Sequence, residues 1–306
     1  MRRVGVVLPR LLMFALLTLR AHPERPVMSR SARFPFSRAL LLAASVSTLA
    51  ACSSDAPAAE DGTRGASPLT VRKRTPQYVA DVVREYPHDK EAFTQGLVWH
   101  EGQLYESTGQ VGKSNIRRVA LETGEVQQRR DLAPPHFGEG IALLNDRIYQ
   151  LTWTSGKGFV YDRRTFEPRG EFTYEGEGWG ITTDGSQLIM SDGTSQLRVL
   201  DPATFEVVRR VTVTENGSPV RYLNELEWVK GEIWANVWMS DRIARIDPQS
   251  GAILGFIDLT GLLPQSLRTG NEDVLNGIAY DAAGDRIFVT GKNWARLYEI
   301  TLRLRD

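Results

Sequence analysis

From about residue 78 onward the chain alternates short apolar and polar runs, broken by Gly, Asp-Gly, Asn-Asp and Asp-Pro, and holds no long 3.6-residue period. Such a pattern predicts an all-β chain. One triplet, X-Gly-Ile/Leu or a near variant, recurs within it. Its copies are Gln95-Gly96-Leu97, Glu139-Gly140-Ile141, Trp179-Gly180-Ile181, Asn224-Glu225-Leu226 and Asn276-Gly277-Ile278, at steps of 44, 40, 45 and 52 residues. After each comes a turn and a second strand: "QLYEST", "RIYQLTW", "QLIMSD", "EIWANVW" and "RIFVTGK". A third strand closes on an acidic turn at Asp162, Asp201 and Asp247, and a fourth follows, such as "EVVRRVTV" or "AILGFIDL".

Four strands in a repeat of about forty to fifty residues mark a blade of a β-propeller, so five repeats predict a five-bladed β-propeller. The last repeat stops after its third strand, "RLYEITL", whereas an extra strand, "YVADVVREY", precedes the first. That N-terminal strand is expected to complete the last blade and close the ring, pairing edges otherwise left open. An irregular β-sandwich does not predict five anchors in register.

In a propeller the first strand of each blade lines the central channel, which makes neighbours of Gln95, Glu139, Trp179, Asn224 and Asn276. Strand alternation sends the residues two positions earlier to the same side: Phe93, Phe137, Glu177, Tyr222 and Val274. The second strand returns to this mouth, bringing Gly109, Trp153, Gly193, Trp238 and Lys292. One face thus gathers aromatic walls (Phe93, Phe137, Trp153, Trp179, Trp238) and a few polar groups (Glu139, Gln95, Asn224, Lys292), as small-ligand sites do. Each residue taken alone has a plainer reading. The rings suit packing between blades, Gln95 and Asn224 suit loop bonding, and Lys292 suits a solvated surface. Glu139 reads equally as a rim carboxylate or as a ligand for a structural cation in the channel. Unlike residues falling in two symmetric columns favour a site, because a structural repeat tends to repeat its residue type.

Composition adds only that 42% hydrophobic residues are ordinary for a globular chain. Charge excludes more. Residues 1–51 carry eight Arg and one Glu, which leaves 29 basic against 36 acidic residues from position 52 onward, a poor footprint for nucleic acid. A lone cysteine, Cys52, excludes disulfides within the chain and Cys-based zinc sites. The histidines, His22, His88, His100 and His136, show no metal-ligand spacing, and neither a Ser-His-Asp pattern nor a phosphate loop is present. What remains is one carboxyl group, Glu139, in aromatic surroundings, where desolvation raises its pKa toward neutrality. It suits a general acid/base in a reaction that only shuttles protons and requires no cofactor.

At the N-terminus, Arg30, Arg33 and Arg38 precede an apolar run, Ala39 to Leu49, which ends in Leu49-Ala50-Ala51-Cys52. This resembles a bacterial lipoprotein signal, the alternatives being a plain cleavable signal or a short apolar helix. A complete signal begins at Met28, so residues 1–27 read as lying upstream of the true start. The expected organisation is a signal region over 1–51, a lipidated Cys52 with a flexible tether over 52–77, and a catalytic domain over 78–306. The mature protein is expected to be exported, lipid-anchored, facing the periplasm or cell envelope, bound to the membrane only through its anchor, and monomeric.

The stretches "EAFTQGL", "HFGEGIA", "LTW", "GWGI", "LNELEW", "IWANVW" and "LNGIAYD" together resemble the plant- and bacterial-type glutaminyl-peptide cyclotransferases. The resemblance spans nearly all of residues 79–302, with the motifs in family order. It implies a five-bladed propeller that converts N-terminal glutamine of peptides or proteins into pyroglutamate, releasing ammonia without catalytic zinc. It further implies a pocket of Phe93, Gln95, Phe137, Glu139, Trp153, Trp179, Asn224, Trp238 and Lys292. Glu139 is then the expected proton shuttle, with Gln95, Asn224 and Lys292 as candidates for holding the amide oxygen. The competing class is a non-catalytic propeller that binds peptide or sugar at the same face. A lactonase-type hydrolase needs a carboxylate-rich metal site, which one Glu among aromatics matches poorly.

Overall fold

The computed structural model describes residues 74–306. The expected signal region, lipidated Cys52 and all but the last residues of the tether lie outside the described residues. The described chain is all-β, its only helical element a 3-10 turn at Gln265–Leu267. Strand β1 (Gln77–Pro87) is followed by β2 to β5 (Thr94–His100, Gln103–Thr108, Asn115–Val119, Val126–Asp131) and by β6 to β9 (Gly138–Leu144, Arg147–Thr152, Lys157–Asp162, Pro168–Thr173). Next come β10 to β13 (Ile181–Thr183, Leu188–Met190, Gln196–Leu200, Val207–Thr212) and a small hairpin, β14 and β15 (Thr214–Glu215, Ser218–Pro219). The chain ends with β16 to β19 (Leu223–Val229, Glu232–Val237, Arg242–Ile246, Ile253–Asp258) and β20 to β22 (Leu275–Asp281, Arg286–Gly291, Arg296–Leu304).

β2 to β5, β6 to β9 and β10 to β13 each form a four-stranded antiparallel sheet in sequence order. The remaining strands make one eight-stranded sheet, ordered β16-β17-β18-β19-β1-β22-β21-β20. β1 pairs antiparallel with β22 over most of its length, with a bulge at Val82 to Arg84. Its first residues, Gln77 to Val79, also pair in parallel with Phe256 to Asp258 of β19, a link that alternation of apolar residues does not announce.

In each four-stranded sheet the chain moves from an inner strand to an outer one. The first strands, such as β6 "GEGIALL", are buried almost throughout, while the fourth strands, "VQQRRD", "PRGEFT" and "VVRRVT", are mostly exposed. Separate apolar clusters join successive repeats: Ile116 with Ile141, Leu151 with Ile181, Leu197 with Leu226, Ile243 with Ile278 inside the eight-stranded sheet, and Phe288 back to Leu97. The first strands touch one another in the same order, β2 to β6 to β10 to β16 to β20, and β20 returns to β2.

The recurring glycine follows from that approach. A methyl group on Gly96 would stand 2.9 Å from the Cα of Gly140, and one on Gly140 2.8 Å from the Cα of Gly180. One on Gly180 would overlap the carbonyl oxygen of Asn224. Only at the fourth copy is the glycine replaced, and there the Glu225 carboxyl accepts hydrogen bonds from Leu97 N at 3.3 Å and Ile278 N at 2.9 Å. Two residues on, Glu227 accepts from Tyr280 N at 2.9 Å. Burial, with the neighbouring Glu227 charge, pushes Glu225 well above the carboxylate range, and burial pushes Glu227 up to about 8.

Two outcomes are expected. Gly180→Ala forces backbone apart and costs about 1–3 kcal/mol in urea denaturation, an overpacking cost; a wild-type midpoint would contradict the close approach. Glu227 is protonated in the fold while ionised in the unfolded chain between its ordinary value and about 8. Its contribution therefore falls as pH rises through that window. Thermal melts should show Glu227→Gln gaining on the wild type as pH rises from 5 to 9, and a constant difference would refute the assignment.

Candidate active site

The first strands begin, and the second strands end, on one face of the domain. A cavity of about 370 Å³ opens there, lined by Phe93, Gln95, Phe137, Glu139, Trp153, Trp179, Asn224, Trp238, Met239, Asp273 and Lys292. All nine residues drawn from the two sequence columns and the family resemblance are among them. Gln95, Glu139 and Asn224 sit on first strands β2, β6 and β16, with Phe93, Phe137 and Trp179 just ahead of β2, β6 and β10. Trp153, Trp238 and Lys292 directly follow second strands β7, β17 and β21.

The aromatic walls pack edge to face. Phe93 and Phe137 have centroids 6.1 Å apart, Phe137 and Trp153 5.8 Å, and Trp179 and Trp238 5.5 Å with planes at 80°. Such geometry places the positive ring edge against the negative face. The glycines of the second-strand column make room for it. A methyl group on Gly109 would run into the ring of Phe137, and one on Gly193 would stand 2.6 Å from the Trp179 indole. Gly109 and Gly193 therefore contribute space where Trp153 and Trp238 contribute rings. Tyr222 lies outside the lining and packs on Trp238 at 6.0 Å, while Glu177 accepts hydrogen bonds from the indoles of Trp153 and Trp179.

The polar groups are buried and oriented. Glu139 is 5% exposed, and Gln95 Nε2 donates to its Oε1 at 3.0 Å. The Gln95 amide is held in turn by Asn276, whose Nδ2 donates to Gln95 Oε1 at 3.3 Å and to Thr94 O at 3.0 Å. Burial pushes Glu139 well above the carboxylate range, against the pull of the Lys292 charge and with a smaller upward push from Glu177. Lys292 is also 5% exposed, its Nζ 4.8 Å from the centroid of the Phe93 ring. Burial lowers its pKa, opposed by Glu139 and Asp273. Asn224 is buried with its Oδ1 unpartnered, an acceptor that costs stability until something donates to it.

Met239 and Asp273 belong to neither column. Met239, 71% exposed, follows Trp238 at the rim, and Asp273 precedes β20 in a long loop. Asp273 is fixed beside Lys292, its N–H donating to Lys292 O at 2.9 Å and its carbonyl accepting from Trp294 Nε1 at 2.9 Å. Loop residues have no register, so only adjacency to Trp238 hinted at Met239.

A sequence model of the glutamine cyclotransferase family matches residues 44–302. This chain belongs to that family. It is 48% identical over 227 residues to a glutaminyl-peptide cyclotransferase of Arabidopsis thaliana, covering 73% of this chain and 71% of the relative. The crystal structure of Myxococcus xanthus glutaminyl cyclase matches the fold with a TM-score of 0.71 at 40% identity, covering 76% of this chain and all of that one. Membership places the cavity in a glutamine cyclotransferase.

With three tryptophans around the cavity, occupancy should change intrinsic fluorescence. Titrating a short peptide that begins with glutamine should give a saturable change, reduced in Trp153→Phe because that ring is 43% exposed at the cavity. No change in either protein would show that the peptide does not enter.

Proposed function

We propose that this chain is a glutaminyl-peptide cyclotransferase that converts the N-terminal glutamine of peptides and proteins into pyroglutamate and ammonia. The observation that carries the reading is a buried carboxyl group, Glu139, inside an aromatic cavity with a buried lysine beside it. Nucleophile and electrophile lie on the same residue, so the task is to hold the folded-back conformer and to move protons. The Phe and Trp walls hold the aliphatic part of the glutamine. Its α-amine nitrogen attacks the side-chain amide carbon, forming the ring C–N bond and leaving negative charge on the amide oxygen. Glu139, ionised, takes the proton from the attacking nitrogen and delivers it to the amide nitrogen. As the carbonyl re-forms, that nitrogen leaves as ammonia.

The three candidates for the amide oxygen separate by the atoms they have free. Gln95 already gives one N–H of its Nε2 to Glu139, Asn224 offers a neutral amide whose Oδ1 has no donor, and Lys292 alone can bring a positive charge to the oxygen. Lys292 is then the donor to the developing oxyanion, and Asn224 accepts an N–H from the substrate. One C–N bond forms, one breaks and a proton passes between the two nitrogens, so the scheme as written balances without a metal or cofactor.

The same reading makes the domain a five-bladed β-propeller whose last blade is completed by β1. The return of β20 to β2 and the pairing of β1 with β22 support it. It also keeps the enzyme exported and lipid-anchored through Cys52, with the cavity facing secreted peptides.

Residues 53–306 incubated with a glutamine-initiated peptide should lose one ammonia by mass spectrometry. Glu139→Gln should lower kcat by about 10²–10⁴-fold, the usual worth of a general acid/base, with KM little changed. In the wild type kcat/KM should rise with pH through the raised pKa of Glu139 and the amine pKa, since both groups act deprotonated. A folded protein that binds the peptide and leaves it intact would make the domain a binding module.

A further inference from the structure

We propose that Glu177 is a positioning residue of the pocket: one carboxylate oxygen ties together the indoles of Trp153 and Trp179. The inference rests on the cyclotransferase reading of the cavity and extends it to a residue outside the lining.

Both indoles donate to the same atom. Trp153 Nε1 reaches Glu177 Oε2 at 2.7 Å and Trp179 Nε1 reaches it at 2.8 Å. The rings come from different sheets, Trp153 from the end of β7 and Trp179 from the segment ahead of β10, so one oxygen fixes the relation between two walls. Trp153 needs such a tether. It is 43% exposed and its recorded ring contact is an edge-on one with Phe137 at 5.8 Å. Trp179 carries the constraint onward, standing edge-on to Trp238.

The mount of Glu177 is itself rigid. Arg198, buried on β12, donates Nη1 to Glu175 O at 2.7 Å and Nη2 to Glu177 O at 2.9 Å, and pairs with Asp192 at 3.2 Å. Gly178 N donates to Trp153 O at 3.0 Å, and no side chain fits at Gly178, where a methyl group would meet Thr152 O at 2.9 Å. A backbone held this firmly limits where the Glu177 carboxylate can stand, and the two indole N–H groups fix it there.

Its charge has a second consequence. The groups acting on Glu139 are Gln95 from β2, Lys292 after β21, Tyr174 at the end of β9 and Glu177, while Asp273 acts on Lys292. Among them Lys292 favours the ionised carboxylate and Glu177 opposes it.

Two substitutions separate the roles. Glu177→Gln keeps an oxygen acceptor of the same reach and removes the charge; Glu177→Leu removes both. With a glutamine-initiated peptide, Glu177→Leu is expected to raise KM by about tenfold or more, with a smaller loss in kcat, as lost ground-state positioning does. Glu177→Gln is expected to hold KM within about threefold of wild type while moving the acid limb of kcat/KM to lower pH, because Glu139 loses a repelling neighbour. Near-UV circular dichroism, read without substrate, should change in Glu177→Leu and persist in Glu177→Gln. A folded Glu177→Leu with wild-type KM, or a Glu177→Gln equally impaired in KM, overturns the proposal. Should Glu177→Leu not fold, an unshifted acid limb in Glu177→Gln overturns it instead. A wild-type protein that leaves the peptide intact sinks the cyclotransferase reading alone, and an unchanged near-UV spectrum in Glu177→Leu would then sink the indole clamp separately.

Discussion

The close approach of the first strands is the constraint on which the rest depends. Gly96, Gly140 and Gly180 bring neighbouring backbones within a distance that no side chain survives, and this contact carries the register of each sheet to the next. Because the residue just before each glycine inherits that register, Gln95, Glu139, Trp179 and Asn224 arrive side by side without any contact in sequence. The one exception, Glu225, spans the space that a glycine leaves and satisfies backbone N–H groups on β2 and β20. Buried amide donors without partners are costly, so a buried carboxyl there is a solution to satisfiability more than a store of charge.

The cavity follows the same economy of space. Where the second-strand column carries tryptophan, it supplies a wall; where it carries glycine, it supplies the room in which Phe137 and Trp179 lie. Such a lining is apolar enough to hold Glu139 and Lys292 away from water, and burial moves both toward their neutral forms. Their mutual attraction works against that shift. Burial prevails for both, so Glu139 stays above and Lys292 below its ordinary range.

Orientation is supplied from outside the cavity. Asn276 holds the Gln95 amide, which holds Glu139; Glu177 holds two indoles; Asp273 is fixed against the backbone of Lys292. Asn276 reaches Gln95 across two sheets and Glu177 joins an indole that follows β7 to one that precedes β10, while Asp273 and Lys292 flank neighbouring strands of one sheet. The cavity is therefore only as well ordered as the contacts between sheets.

The repeat of X-Gly-Ile/Leu was enough, on sequence alone, to identify an all-β chain, the strand order within each unit and the two columns from which nine lining residues come. Strand periodicity is local, and symmetry between repeats converts local position into spatial neighbourhood. The tertiary structure decided what neither periodicity nor symmetry encodes. The parallel pairing of β1 with β19 depends on where an 11-residue strand ends up against a neighbouring edge. Met239 and Asp273 come from loops, whose residues have no fixed phase relative to the strands. The sharing of one Glu177 oxygen by two indoles depends on side-chain directions across two sheets, set by packing and by the Arg198 mount far along the chain. Distances of this kind arise from long-range contacts, and no short stretch of sequence contains both of their ends.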